Sequence, residues 1–227
     1  MKRLALDTSS LACSVALRMG DELVERHEEQ PREHTRLLMP MIRDVLEEAD
    51  VKLPDLDAIV LGNGPGSFIG MRIAASVAQG LAFGAGLNII PVSSLAAVAA
   101  EVFHKSDVEH VAVAQDAHMN EVYLGLYSRG ANELPQPLAD ERLQDCSVIK
   151  EFSAANEKIT VAGQGWQRYP ELAAINSSCI GGHSDVLFPR AAYLLALSEL
   201  SNAIEPKDIQ PAYLRQKVAE IPRTRGS

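Results

Sequence analysis

Asn63-Gly64-Pro65-Gly66-Ser67-Phe68-Ile69-Gly70-Met71-Arg72 stands between an apolar run, Ala58 to Leu61, and an Ala/Gly-rich run, Ile73 to Ala85. The first run reads as a strand and the second as a helix, joined by a glycine turn that allows close backbone approach. A strand, a glycine loop and a helix N-terminus in that order suit an anion. The familiar phosphate codes are absent. No Gly-Lys-Ser/Thr follows the second glycine, and a dinucleotide fingerprint read from Gly64 needs glycine where Ile69 stands. From spacing alone the stretch is either a phosphate loop or a plain strand-to-helix turn.

Working outward, Leu4 to Thr8 alternates into Asp7, Ala12 to Leu17 alternates with Cys13, Val15 and Leu17 on one face, and a turn at Met19-Gly20-Asp21 leads to a third strand, Glu22 to His27. The arrangement returns later. Val111 to Ala114 runs into Asp116, Val122 to Tyr127 alternates, and Ser128-Arg129-Gly130 makes a turn. Asp7 precedes Val15 by the same spacing that separates Asp116 from Leu124. Val60-Leu61-Gly62-Asn63-Gly64 resembles Val161-Ala162-Gly163-Gln164-Gly165, and Ser94 to Val98 resembles Arg190 to Leu194 as a helix opening. Three matches in one order predict a duplicated βββαβα unit. The expected division is 1–105, 106–206 and a tail at 207–227, whose last five residues resemble a vector remnant.

Hydrophobic residues make up 47% of the 227 but aromatic ones only 5%, so the core must be built from Ala, Val, Leu and Ile. The net charge of −9 argues against a free-standing nucleic-acid binder, which needs a basic footprint. Cys13, Cys146 and Cys179 are scattered and form no Cys-x-x-Cys, which suits reduced thiols in a cytoplasm. The uncharged segment from Ile73 to Val92 is rejected as a membrane span, because it holds Gln79, Asn88, Pro91 and three glycines. Trp166, after a glycine loop, is a candidate to stack on a base or to pack on a lobe. The six histidines contain no i, i+4 pair and read as surface residues.

An Asp closing the first strand before a hairpin, in both halves, resembles the actin-like ATPase (ASKHA) superfamily. The resemblance implies an α/β, two-lobed fold with a reduced second lobe, and hairpin loops that face each other across a cleft. The resemblance sharpens at Leu6-Asp7-Thr8-Ser9, at Gly64-Pro65-Gly66-Ser67-Phe68-x-Gly70-x-Arg72, at Asp116-Ala117-x-Met119-x-Glu121-Val122-Tyr123 and at Pro211-x-Tyr213-Leu214-Arg215. In that order they resemble the bacterial TsaB (YeaZ) family, a paralogue of the TsaD/Kae1 carbamoyltransferase. The family pattern carries Thr and Arg where this chain has Ile69 and His118.

What the resemblance implies is a non-catalytic scaffold, without cofactor or metal, for making threonylcarbamoyladenosine (t6A) beside the tRNA anticodon. It implies TsaD and TsaE as partners, tRNA reached only through the complex, and a homodimer when the chain is alone. Asp7, Thr8, Ser9, Gly64, Gly66, Ser67 and Asp116 would be degenerate phosphate loops. The catalytic paralogue's metal-binding His-x-x-x-His falls at Ser94 and Val98 here, and Val98 has no donor. The rival reading is an autonomous actin-like ATPase or small-molecule kinase. The expected partner surface is an apolar arc of about 180° on a helix over 34–49, with Leu37, Leu38, Met41, Ile42, Val45 and Leu46. Arg72 and the small residues Ala75 and Ala78 of the next helix join it. Arg72 lies in a helix's first turn, where the dipole disfavours a cation, so a specific anionic partner is expected.

Overall fold

The computed structural model describes residues 1–150 and 158–214. Arg215 of the last motif and the tail beyond it lie outside the described residues. The first half forms β1 (Lys2–Asp7), β2 (Cys13–Met19), β3 (Glu22–Glu28), α1 (His34–Glu48), β4 (Ala58–Gly62), α2 (Phe68–Ala85), β5 (Asn88–Val92) and α3 (Ser94–Lys105). The second forms β6 (His110–Asp116), β7 (Glu121–Arg129), β8 (Pro135–Pro137), β9 (Arg142–Asp145), β10 (Ile159–Ala162), α4 (Gln164–Arg168), α5 (Pro170–Ile175), β11 (Ile180–His183) and α6 (Ala191–Leu197).

The duplication holds at the level of topology. One sheet has the order β3-β2-β1-β4-β5 and the other β8-β7-β6-β10-β11 with β9 also on β7, so each strand has a counterpart. In both, the first hairpin is antiparallel and the two crossover strands are parallel. The hairpins themselves differ by one residue. Asp7 pairs with Ser14 but Asp116 pairs with Val122, so the equal spacing to Val15 and Leu124 is not an equal register. The shorter second loop turns through His118, Met119 and Asn120, all at φ near +60°.

Alternation along the strands assigns their faces. Leu4, Leu6, Cys13, Val15 and Leu17 face α1 and α2, whereas Ala5, Ala16 and Val60 face α6. In the second sheet Val111, Val113 and Tyr127 meet Leu95, Val98 and Phe103 of α3. Its other face packs Leu124 and Val161 on Trp166 of α4 and Leu172 of α5. The helices thus cross between halves. The last helix of the first half covers the second sheet, and α6, from the second half, covers the first. The second lobe is reduced in its helices: α4 and α5 have 5 and 6 residues, against 15 and 18 in α1 and α2.

The helices correct the expected docking arc. Leu38, Met41, Ile42 and Val45 lie within about 100° of one another on α1 and are buried on the first sheet. Each contributes roughly 2 kcal/mol of transfer free energy there, so this stripe is committed to the chain's own core. Leu37 and Leu46 flank the stripe and are half-buried. Pro40 leaves α1 unbroken. Both it and Arg36, whose carbonyl loses its helical partner, are exposed, so water can satisfy that carbonyl. In α2 the small residues Ala74, Ala75, Ala78 and Ala82 are likewise buried, bringing the helix close to its own sheet rather than to a partner. α2 is long and apolar enough to cross a membrane, yet one face of it is core.

Three histidines also depart from expectation, His110 on β6 being half-buried. His34 is buried at the start of α1, and His27 is half-buried on β3. Burial lowers the pKa of both.

Candidate functional site

The glycine loop and the first hairpin turn close on each other. α2 begins inside the glycine stretch, at Phe68, because the Ser67 hydroxyl caps it by accepting the Gly70 amide at 3.2 Å. The Ser67 amide donates to the Ser9 carbonyl at 2.7 Å, and the Thr8 hydroxyl donates to the Gly70 carbonyl at 2.7 Å. Glycine is required at this contact. A Cβ on Gly66 would stand 2.2 Å from the Ser9 carbonyl oxygen, and one on Gly70 would stand 1.9 Å from that of Thr8.

Asp7 sits beneath this contact, almost fully buried. Its Oδ1 accepts the Ser9 amide at 2.7 Å and the Ser9 hydroxyl at 2.8 Å, and its Oδ2 accepts the Ser94 hydroxyl at 2.6 Å. Ser94 in turn accepts the Gly64 amide at 3.2 Å and donates its own amide to the Gly64 carbonyl at 2.9 Å. Burial pushes the Asp7 carboxyl up to about 6, against the opposing effect of the Ser94 and Ser9 hydrogen bonds. The same burial, with the Asp7 charge, raises the Cys13 thiol to about 12, as befits a core cysteine.

Between the halves lies a cleft of about 320 Å³. The two hairpin loops face each other across it, Ser9 to Leu11 on one side and Ala117 to Met119 on the other. Of the candidate loop residues, Ser9, Gly66, Ser67 and Asp116 line the cleft; Asp7, Thr8 and Gly64 are sealed behind it. Leu11, Phe68, Ile69, Met119 and Tyr123 make much of the wall apolar, with Gln115 and Gln164 among its polar groups. Among the described residues no lysine or arginine lines it. Asp116 adds a negative group, its Oδ1 accepting the His118 amide at 2.8 Å and the Tyr169 hydroxyl at 2.7 Å. Burial, and next that hydrogen bond, push the Tyr169 phenol up to about 12.

Two of the glycine loop's donors are closed to a nucleotide polyphosphate. An anion needs unspent backbone amides or cations, and the Gly64 and Ser67 amides are spent within the chain. A metal fits no better. The Ser94 hydroxyl is engaged with Asp7, Val98 is buried among apolar side chains, and among the described residues no group of three His, Cys, Asp or Glu could hold an ion. Trp166 is buried, its indole donating to the Ala112 carbonyl at 3.1 Å, so it offers no face to a base.

Arg72 has an intrachain partner of an unexpected kind. Its guanidinium lies 3.8 Å from the centroid of the Phe68 ring, and its Nε donates to the Tyr213 hydroxyl at 2.9 Å. Sequence reasoning missed this contact and that of Ser94 with Asp7. The pairs are 141 and 87 residues apart, and no local pattern links them. The helix opening read at Ser94 is α3, which Ser93 caps by accepting the Ala96 amide at 3.1 Å.

Comparison with known proteins points one way. The model of the family described as tRNA N6-adenosine threonylcarbamoyltransferase (TsaD) matches residues 27–222. A Haemophilus influenzae protein described as tRNA threonylcarbamoyladenosine biosynthesis protein TsaB is 37% identical over 95% of this chain and 94% of its own. The Escherichia coli protein of the same description is 37% identical over 96% of each. The crystal structure of YeaZ from Pseudomonas aeruginosa superposes with a TM-score of 0.83 at 36% identity, covering 94% of this chain and 99% of that one.

Proposed function

The chain belongs to the TsaB (YeaZ) family of t6A biosynthesis proteins, and from that premise we propose that it is a non-catalytic assembly subunit of the t6A machinery. It docks on a TsaD-type carbamoyltransferase, supports transfer of the threonylcarbamoyl group to adenosine, and helps to recruit the small ATPase TsaE. tRNA reaches it only through the complex, a reading that the net charge of −9 supports. The setting is the cytoplasm.

The single observation that carries this reading is the closed contact of the glycine loop with Asp7, Ser9 and Ser94. It spends the Gly64 and Ser67 amides of the glycine loop and the Asp7 carboxylate, groups that an actin-like ATPase would direct at nucleotide. The same observation disfavours the autonomous ATPase or kinase.

The docking surface follows from what the core leaves uncovered. The outer face of α2 presents Ile69, 70% exposed, and Phe83, 85% exposed, with Arg72, Ser76, Gly80 and Gly84 between them. These two exposed apolar side chains, on a helix already packed on its inner face, support an interface there without forming one contiguous patch. Gly80 and Gly84 have nothing within 4 Å of a built Cβ and permit close helix approach. A second copy can occupy the same face when the carbamoyltransferase is absent, as a two-fold dimer.

The test is tRNA modification from threonylcarbamoyl-adenylate by this protein alone, by the carbamoyltransferase of the same organism alone, and by both with TsaE. Turnover is expected only where the carbamoyltransferase is present, and is expected to rise when this chain is added. Modification by this chain alone, or no effect of its addition, would refute the reading.

A further inference from the structure

We propose that Arg72 is a pre-aimed receptor for one carboxylate of the protein that docks on α2, and that the strap formed by residues 206–213 does the aiming. The inference rests on the assembly reading and names what the α2 face recognises.

Arg72 is the one charged residue of α2 and stands in its first turn, where the helix dipole works against it. It is exposed but not loose. The guanidinium is stacked at 3.8 Å on Phe68 and lies 5.7 Å from the Tyr213 ring centroid, while the two rings sit 5.3 Å apart. The Phe68 ring fixes where the guanidinium sits, and the Nε–H bond to the Tyr213 hydroxyl at 2.9 Å fixes which way its Nε edge faces. Of the five guanidinium donors that bond uses one. Among the described residues no group accepts from the two terminal amino groups. A planar fork held in this way is matched by a carboxylate, which it binds through two parallel bonds.

Tyr213 is in turn held from behind. The strap is tied to the chain through Gln79 Nε2 to the Pro206 carbonyl at 2.9 Å, Asn63 Nδ2 to the Gln210 carbonyl at 3.0 Å and the Ala212 amide to the Asn63 carbonyl at 3.0 Å. Ile209 between them is buried in the core under α1 and α2. The receptor is therefore built from two segments and is incomplete without the strap.

A carboxylate is favoured over a nucleic-acid phosphate by the surroundings. Phosphate backbones are held by several cations at once, and α2 has this one. Ile69 and Ile73 flank it with apolar surface instead. An arginine braced by aromatic rings beside exposed apolar side chains has the composition of a protein-interface hot spot.

The experiment is a binding titration of the full chain with the carbamoyltransferase at about 0.15 M salt, with circular dichroism and melting temperature as folding controls. Arg72→Ala is expected to weaken binding roughly 10- to 100-fold. Arg72→Lys, which keeps the charge and loses the fork, is expected to weaken it at least several-fold. Tyr213→Phe, which keeps the ring and loses the aiming bond, should fall between Arg72→Lys and the parent. One Asp or Glu of the partner, changed to Asn or Gln, should show no further loss in the Arg72→Ala background. Arg72→Ala or Arg72→Lys binding as tightly as the parent would overturn the receptor while leaving the assembly reading intact. A parent chain that does not bind overturns both. Direct binding of tRNA by the parent that Arg72→Ala abolishes overturns the carboxylate assignment.

Discussion

Asp7 shows how one residue can lose the role its position suggests. It ends the first strand before a hairpin, as a phosphate-site aspartate does, but both of its oxygens are engaged by Ser9 and Ser94. Its carboxyl, with an ordinary value of 3.8, is raised to about 6 by burial. Because the folded value lies above the unfolded one, Asp7 stabilises the fold fully below about pH 4. That contribution is lost as pH rises through 6, since over this interval the unfolded chain has already released its proton. At about 1.4 kcal/mol per pH unit the loss amounts to roughly 3 kcal/mol. The stability of the parent minus that of Asp7→Asn, measured by urea unfolding from pH 4 to 7, is expected to fall by an amount of this order. A flat difference would show that the carboxyl is not raised. Gly66 and Gly70 belong to the same scale. Each is glycine because the neighbouring turn's carbonyl occupies the space of a side chain.

At the scale of elements, α1 and α2 each divide into a core stripe and an outer face. The width of an apolar arc does not say how it is shared. On α1 the stripe from Leu38 to Val45 is taken by the sheet, leaving Leu46 half-buried at one edge and Leu37 at the other. Met41→Asp puts a carboxylate into that core and is expected to destabilise by about 4 kcal/mol or more, enough to unfold a domain of ordinary stability. Leu46→Asp should cost no more than about 2 kcal/mol and stay folded. Circular dichroism melts of the two variants give the comparison, and equal losses would contradict the division. On α2 the alanine stripe proved to be the core side, so the outward-facing set is Ile69, Arg72 and Phe83 rather than Ala75 and Ala78.

For the whole molecule, the exchange of α3 and α6 between halves decides cooperativity. Leu195 of α6 is buried against the first sheet, whereas Trp166, the sole tryptophan, is buried on the second. Leu195→Ala is expected to cost roughly 2–5 kcal/mol. Its effect should shift the Trp166 fluorescence midpoint as much as the circular dichroism midpoint. Two separate transitions, with the fluorescence midpoint unmoved, would mean that the halves unfold independently.

The sequence by itself determined the hairpin strands of both halves, the duplication and the family. These rest on local alternation, on turn residues such as Gly20 and Gly130, and on motifs confined to a few consecutive positions. The closed contact of the glycine loop with Asp7 and Ser94, the buried stripes of α1 and α2 and the bracing of Arg72 were decided only by tertiary structure. Alternation reports that a face is apolar but not what covers it. Nor does any local pattern foretell that Ser94 will reach Asp7, or Tyr213 reach Arg72, across most of the chain. Such contacts come from how the two sheets and their crossing helices pack, and that packing is a property of the whole core rather than of any one segment.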